Sequence, residues 1–265
     1  MNAPVAATED LIYSVEDGIA RIVFNRPQAR NALTFAMYEQ MASICESINQ
    51  DRSIKALIIT GAGDKAFSTG NDLKMHAQRG VREFPPTGFA GLTTRFDLDK
   101  PVIAAVNGIA MGGGFELALA CDLVIAAENA FFALSEPRVG LAALAGGVQY
   151  LPRAIGLPRA MGILLTGRRV PAAEAFDLGF VTALAPAGGA MVEARKWADQ
   201  MLECAPLSLR ATKEVARKTM LGDDFESKLM AAREFPAAKR LRSSEDYKEG
   251  PRAFAEKRKP QWKNR

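Results

Sequence analysis

The sequence predicts an α/β core followed by a helical C-terminal extension. Short apolar runs of strand character alternate with helix-like periodicities over the first 191 residues. Two of these runs end in glycine turns that lead into a helix, and from about Val192 the strand-like runs cease while helical segments continue. A chain of 265 residues can bury a large core.

Ile19 to Phe24 follows Asp17 and Gly18, a two-residue hairpin signal, and reads as a strand that Asn25, Arg26 and Pro27 break. Leu33, Met37, Met41, Ile44 and Ile48 recur at spacings of four, four, three and four, which predicts a helix with one buried stripe ending near Asn49. Lys55 to Thr60 is a buried strand closed by Gly61, Ala62 and Gly63. Lys65 to Leu73 (KAFSTGNDL) then places Gly70 and Asn71 in a turn before a helix expected from Asp72. From Gly80 to Lys100 periodicity is weak and Pro85, Pro86, Gly88 and Gly91 intervene, so a loop or broken helix lining a pocket is expected. Pro101 to Val106 is another buried strand, Leu117 to Asp122 has the composition of a buried helix, and Asp122 to Ala127 returns to strand. Phe131 to Pro137 reads as a short strand running into a turn that holds Glu136; Gly146 opens a helix, and Ala172 to Gly179 is a short one. Glu193 to Cys204, Ser208 to Leu221 and Phe225 to Arg242 form the helical extension, joined by Pro206 and Gly222.

Composition excludes several classes. Hydrophobic content of 48% and charge of 24% are those of a globular protein. No apolar run approaches the ~18 residues needed to span a bilayer, and Met1 to Asp10 has neither the basic region nor the apolar stretch of a signal peptide, so a cytoplasmic protein without a membrane partner is expected. Cys45, Cys121 and Cys204 are odd in number, far apart and set in apolar surroundings, and are read as reduced core residues. With His76 the only histidine, a histidine-based metal site is ruled out, and no G-x-S-x-G elbow accompanies it. The net charge of +4 resides in the tail, where seven basic residues from Lys248 onward face two acidic ones. Such a tail suits an anionic partner or is a solvated helix end; nothing in it indicates nucleic acid.

The chemistry concentrates at Asn107 to Glu116 (NGIAMGGGFE), where a strand meets Gly112, Gly113 and Gly114 and then a helix. Glycine lets backbone approach a ligand closely, and the first turn of a helix has N–H groups without internal partners, so the turn is a donor site for a negative oxygen. The spacing excludes G-x-G-x-x-G, and no Gly-Lys-Ser/Thr follows, so a small oxyanion is favoured over a nucleotide phosphate. The Gly70 turn repeats the arrangement, and two such turns can direct two backbone amides at one oxygen. Glu116 lies one helical turn from those donors; alone, it is equally suited to the positive end of the helix dipole.

Taken together, Lys65 to Leu73, Asn107 to Glu116 and Ser135, Glu136 and Pro137 resemble the enoyl-CoA hydratase/isomerase family, the crotonases, from Leu11 to about Trp262. The resemblance implies a crotonase-like spiral of repeated β-β-α units over residues 1–191, carrying a CoA thioester site. It implies a helical oligomerisation region over 192–265 that builds trimers, often paired as hexamers. It further implies an acyl-CoA substrate bound through Ser68, Gly70, Asn71 and Gly113, its thioester oxygen held by the Asn71 and Gly113 amides, with catalysis by Glu116 and Glu136. Phe254 and Lys257 are implied to reach coenzyme A from a neighbouring subunit, sharing a face if residues 252–259 are helical. No cofactor is implied, since coenzyme A enters with the substrate.

Asn71 stands where the family usually has alanine. Leu141 to Ala145 is more apolar than the corresponding loop of short-chain hydratases, Arg138 follows Glu136 closely, and His76 faces either the acyl pocket or solvent. These features bear on the acyl group. The expected activity is hydration of the 2,3 double bond of an enoyl-CoA. The alternatives are a double-bond isomerase or specialised acyl-CoA dehydratase on the same scaffold, or a non-catalytic CoA-ester-binding subunit; a dinucleotide-dependent reductase is disfavoured by the glycine spacing.

Overall fold

The computed structural model describes residues 9–72, 84–220 and 224–265. Two sheets organise it. The first has six strands, β1 (Leu11–Glu16), β2 (Ile19–Phe24), β3 (Ala56–Gly61), β5 (Val102–Val106), β7 (Leu123–Ala127) and β10 (Ala183–Ala185), in that order. The second runs β4 (Ala66–Ser68), β6 (Ile109–Met111), β8 (Phe131–Ala133), β9 (Val170–Pro171). β1 and β2 form an antiparallel hairpin whose turn residues Asp17 and Gly18 both have positive φ, at 51° and 78°. The remaining pairings of the first sheet are parallel. β3, β5 and β7 each hand the chain to the second sheet through β4, β6 and β8, which is the expected spiral of paired strands.

Apart from Thr60, whose hydroxyl donates to Ala105 O at 2.8 Å, the central strands are apolar because both faces are covered. Leu57, Ile59, Val102, Ala104, Val124 and Ala126 face the main core, which also takes in the stripe of helix α1 (Phe35–Gln50) and helix α2 (Gly113–Ala120). Ile58, Ile103, Ala105, Ile125 and Ala127 face the other way, against Ala190, Ala194 and Ala198. Those alanines, four apart, form the inner stripe of a helix over Ala190–Leu202 and let it lie close to the sheet. The expected boundary at 191/192 therefore falls inside an element that covers the core sheet.

Between these lie helices α3 (Gly147–Ile155), α4 (Leu157–Leu164) and α5 (Ala172–Leu178), so the Ala190–Leu202 helix is α6. Helix α7 (Pro206–Met220) is fastened to the sheet by Lys213 and Arg217, which meet Asp122 at 2.7 and 2.9 Å. The helix expected over 225–242 is broken. α8 (Phe225–Ala231) ends in a 3₁₀ turn, Ala232–Glu234, before α9 (Pro236–Ser243). Pro236 holds Phe235 extended, at φ −62° and ψ 144°, which a continuous helix does not permit.

The tail differs from expectation. Helix α10 (Glu245–Ala255) stops before Lys257, whose φ is +52°. Arg258 N donates to Ala253 O and Lys257 N to Phe254 O, at 3.1 and 3.2 Å, the paired bonds of a left-handed helix terminus with lysine in the position glycine usually fills. Arg258 secures the reversal by ion-pairing with Glu249 and Glu256. Residues 252–259 are thus not one helix, and Phe254 and Lys257 share no helical face.

Four more particulars depart from or fall outside the sequence reading. Strands β4, β6, β9 and β10, of two or three residues, are too short to leave a period. Cys45 and Cys121 are buried, but Cys204, just beyond the end of α6, is exposed. His76 and the helix expected after Asp72 lie outside the described residues. Among the described residues no helix is long and apolar enough to cross a membrane.

Candidate active site

The Gly70 turn is fixed from beneath. Ser68 is fully buried at the end of β4; its Oγ donates to Asn31 O at 2.8 Å and accepts the Gly70 amide at 3.1 Å. Leu33 N donates to Gly70 O at 2.8 Å and Asp72 N to Leu33 O at 3.0 Å. This parallel bridge uses the groups flanking Asn71, so the Asn71 N–H points to the opposite side, where Asn71 lines a cavity. Gly70, at φ +82°, lies so near the second turn that a β-carbon on it would stand 2.6 Å from Gly113 N. Ser68 and Gly70 therefore build the turn from behind, and neither lines the cavity, contrary to their expected contact with substrate.

The three consecutive glycines have separate reasons. Gly112 adopts φ 54° and ψ −129°, outside the range of other residues, as the chain leaves β6 for α2. A β-carbon on Gly113 would meet the Phe89 ring at 2.5 Å, and one on Gly114 would meet Ser68 O at 2.1 Å. Gly113 is the first residue of α2, so its N–H has no intrahelical acceptor. The two amides expected at the oxyanion site thus come from turns in backbone contact.

Glu116, in the first turn of α2, is 3% exposed and accepts the Gly147 amide from the start of α3 at 2.9 Å. Burial pushes its carboxyl up to about 7, reinforced by the nearby Glu136 charge and opposed by backbone amides. Glu136 opens the 3₁₀ turn Glu136–Val139; burial raises its pKa too, and its Oε2 is buried and accepts no hydrogen bond among the described residues. Its Oε1 would be 3.2 Å from a β-carbon on Gly112.

These groups share one cavity of about 320 Å³, lined by Asn71, Gly113, Glu116 and Glu136 and walled by Phe84 and Phe89. Leu141, Ala142, Leu144 and Ala145 complete its apolar side, and the 84–100 loop contributes as expected. A larger groove of about 920 Å³ lies elsewhere, among Phe96, Leu98 and Phe235, and neither glutamate borders it. Phe254 is 87% exposed, and neither it nor Lys257 lines the cavity of its own chain. Tyr38, fully buried on α1, donates to Asn71 Oδ1 at 2.8 Å. The only sequence signal for it is a hydroxyl set beside the apolar stripe, and that signal does not distinguish a core tyrosine from a site residue.

Because burial raises the Glu116 pKa above its ordinary 4.5, the folded protein binds this proton more tightly than the unfolded chain. The stability associated with the residue is complete below about pH 4.5 and declines as pH rises through about 7. Glu116→Gln cannot ionise and still offers an oxygen to Gly147 N. It is expected to gain on the wild type between about pH 5 and pH 8, by on the order of 2–3 kcal/mol, read from thermal unfolding across pH. A constant difference across that range would mean that the carboxyl titrates normally.

A family model described as enoyl-CoA hydratase/isomerase matches residues 14–265. The carnitinyl-CoA dehydratase of Proteus mirabilis is 42% identical over 261 residues, covering 97% of this chain and 100% of that protein. That of Escherichia coli K12 is 41% identical over 264 residues, with the same coverage. Among solved structures, the enoyl-CoA hydratase from Mycobacterium tuberculosis superposes with a TM-score of 0.90 at 35% identity, over 97% of this chain and 100% of that one. An enoyl-CoA hydratase from Mycobacterium marinum gives 0.91 at 35% identity, with the same coverage. Matched along nearly its whole length in sequence and fold, the chain belongs to the enoyl-CoA hydratase/isomerase family.

Proposed function

We propose that the protein interconverts a 2-enoyl-CoA thioester and its 3-hydroxyacyl-CoA hydrate. The observation that carries this reading is the pair of buried carboxyl groups, Glu116 and Glu136, in one cavity with the Asn71 and Gly113 amides. As the oxygen of water attacks C3, negative charge moves to the thioester oxygen, where two fixed N–H groups stabilise it. Water must lose a proton while C2 gains one, and two carboxyl groups with raised pKa values, one near about 7, can exchange protons at neutral pH. Dehydration runs through the same steps in reverse. Coenzyme A enters as part of the substrate, and the proposed reaction needs no other cofactor.

A second reading narrows the substrate to a specialised acyl group. It is favoured by full-length identity of 42% to carnitinyl-CoA dehydratases. A carnitinyl group is a 3-hydroxyacyl group bearing a quaternary ammonium, and the Phe84 and Phe89 rings in the cavity wall suit such a cation. The test is ultraviolet absorbance of the conjugated thioester, followed with straight-chain 2-enoyl-CoA esters and with carnitinyl-CoA. Turnover of carnitinyl-CoA alone would select the second reading; turnover of neither class would overturn both.

The proposal extends to a homotrimer, alone or paired as a hexamer, acting in the cytoplasm, in which Phe254 and Lys257 reach coenzyme A bound by a neighbouring subunit. It is supported by the exposure of Phe254, in the last turn of α10, and of Lys257, where the chain reverses. Lys257→Glu is expected to raise KM for the CoA ester roughly 3- to 10-fold at low salt, less at high salt, with kcat at saturation nearly constant. An unchanged KM at low salt would remove Lys257 from the site.

A further inference from the structure

The Asn71 amide donor belongs to a residue whose side chain turns back toward α1. Asn71 Oδ1 accepts the Tyr38 hydroxyl at 2.8 Å. The Tyr38 ring in turn packs on Phe89, with centroids 5.0 Å apart, and on Phe84 at 6.0 Å. Phe89 is the ring that lies against Gly113. One buried side chain therefore touches both halves of the oxyanion site, Asn71 through its hydroxyl and Gly113 through the Phe89 ring. Burial and the charge of Asp72 raise the pKa of the phenol, so it remains a donor throughout the working range.

We infer that Tyr38 is a positioning residue for the oxyanion site, anchoring the Asn71 side chain on α1 so that the Asn71 N–H is held in line with the thioester oxygen. The inference rests on the hydratase reading above. An alanine at this position has no side chain to direct; asparagine has two side-chain torsions and a polar head that can swing into the cavity beside Glu136. The hydrogen bond from the buried Tyr38 side chain restrains that freedom. It holds the Asn71 side chain toward Tyr38 and so keeps the amide oxygen from competing for the N–H or for the catalytic water.

Tyr38→Phe tests this because it retains the ring contacts and deletes only the hydroxyl. The expected result is a fall in kcat of about tenfold with KM within about twofold, a fraction of the roughly 10²- to 10³-fold that follows loss of a whole oxyanion donor. The second readout is infrared spectroscopy of the thioester carbonyl of bound butyryl-CoA, which carries no double bond to hydrate. Wild type should lower that stretching frequency relative to free butyryl-CoA, and Tyr38→Phe should lower it less. In an Asn71→Ala background, adding Tyr38→Phe should change kcat by less than about twofold.

A Tyr38→Phe protein with wild-type kcat and an unaltered carbonyl band would overturn the inference, as would an equal loss in the Asn71→Ala background. If Asn71→Ala does not fold, the carbonyl band of Tyr38→Phe alone decides. A wild type that binds butyryl-CoA with a shifted carbonyl yet hydrates no enoyl-CoA overturns the hydratase reading while leaving the positioning role to be decided by the same band. A wild type that binds no acyl-CoA overturns both.

Discussion

Glu116→Gln and Glu136→Gln are each expected to lower kcat by roughly 10²-fold or more, with KM changed by less than about threefold. The two substitutions preserve shape. At Glu116 the amide oxygen can still accept from Gly147 N, so the start of α3 keeps its anchor; at Glu136 no hydrogen bond to Oε2 is lost among the described residues. What disappears in each is the exchangeable proton. In the proposed mechanism both carboxyl groups act on the same water addition, so the double variant should lose little more than the worse single one. Steady-state hydration kinetics of the three proteins check this. Near-normal hydration by Glu116→Gln would exclude the two-carboxylate mechanism and favour a double-bond isomerase, which needs one such group.

Gly113→Pro is expected to reduce kcat by on the order of 10²- to 10³-fold, because it deletes one of two preorganised amide donors, a loss of ~3 kcal/mol in the transition state. Proline is acceptable to the helix at its first position, where the N–H is unpaired in any case. The complication is Phe89, which any β-carbon at 113 would approach to 2.5 Å and must displace. Gly113→Ala supplies the control, since it introduces the same β-carbon and retains the N–H. Activity of the alanine variant should exceed that of the proline variant by at least about tenfold, with the two unfolding at similar temperatures. Equal activity would mean that Gly113 serves only to admit the Phe89 ring.

Sequence alone determined the strands and helices whose burial is periodic or continuous. The α1 stripe from Met37 to Ile48 and the buried strands around Ile58, Ile103 and Ile125 were legible because each residue there faces a core and must be apolar, whereas Leu33, expected to begin that helix, lies before it in the bridge to Asn71. The site was legible in its types as well: glycine turns that only glycine can form, followed by carboxylates at fixed offsets. Sequence left open whether Glu116 serves the helix dipole or chemistry, since both demand the same residue at the same place.

Tertiary structure sets Glu116 and Glu136 in one cavity under a shared cover of apolar residues, where burial raises both pKa values, and the proposed two-carboxylate chemistry rests on that arrangement. It also assigned Ser68 to the support of Gly70 rather than to substrate, and α6 to the sheet rather than to a separate extension. The tail reverses at Lys257 because Arg258 finds Glu249, nine residues back, at 2.6 Å. Tyr38 entered the site through contact with Asn71, thirty-three residues away, and with the Phe84 and Phe89 rings. The Ser68–Gly70 and Arg258–Glu249 contacts aside, these depend on groups brought together across long chain separations, and local periodicity carries no information about such distances, because it records only which side of an element is dry.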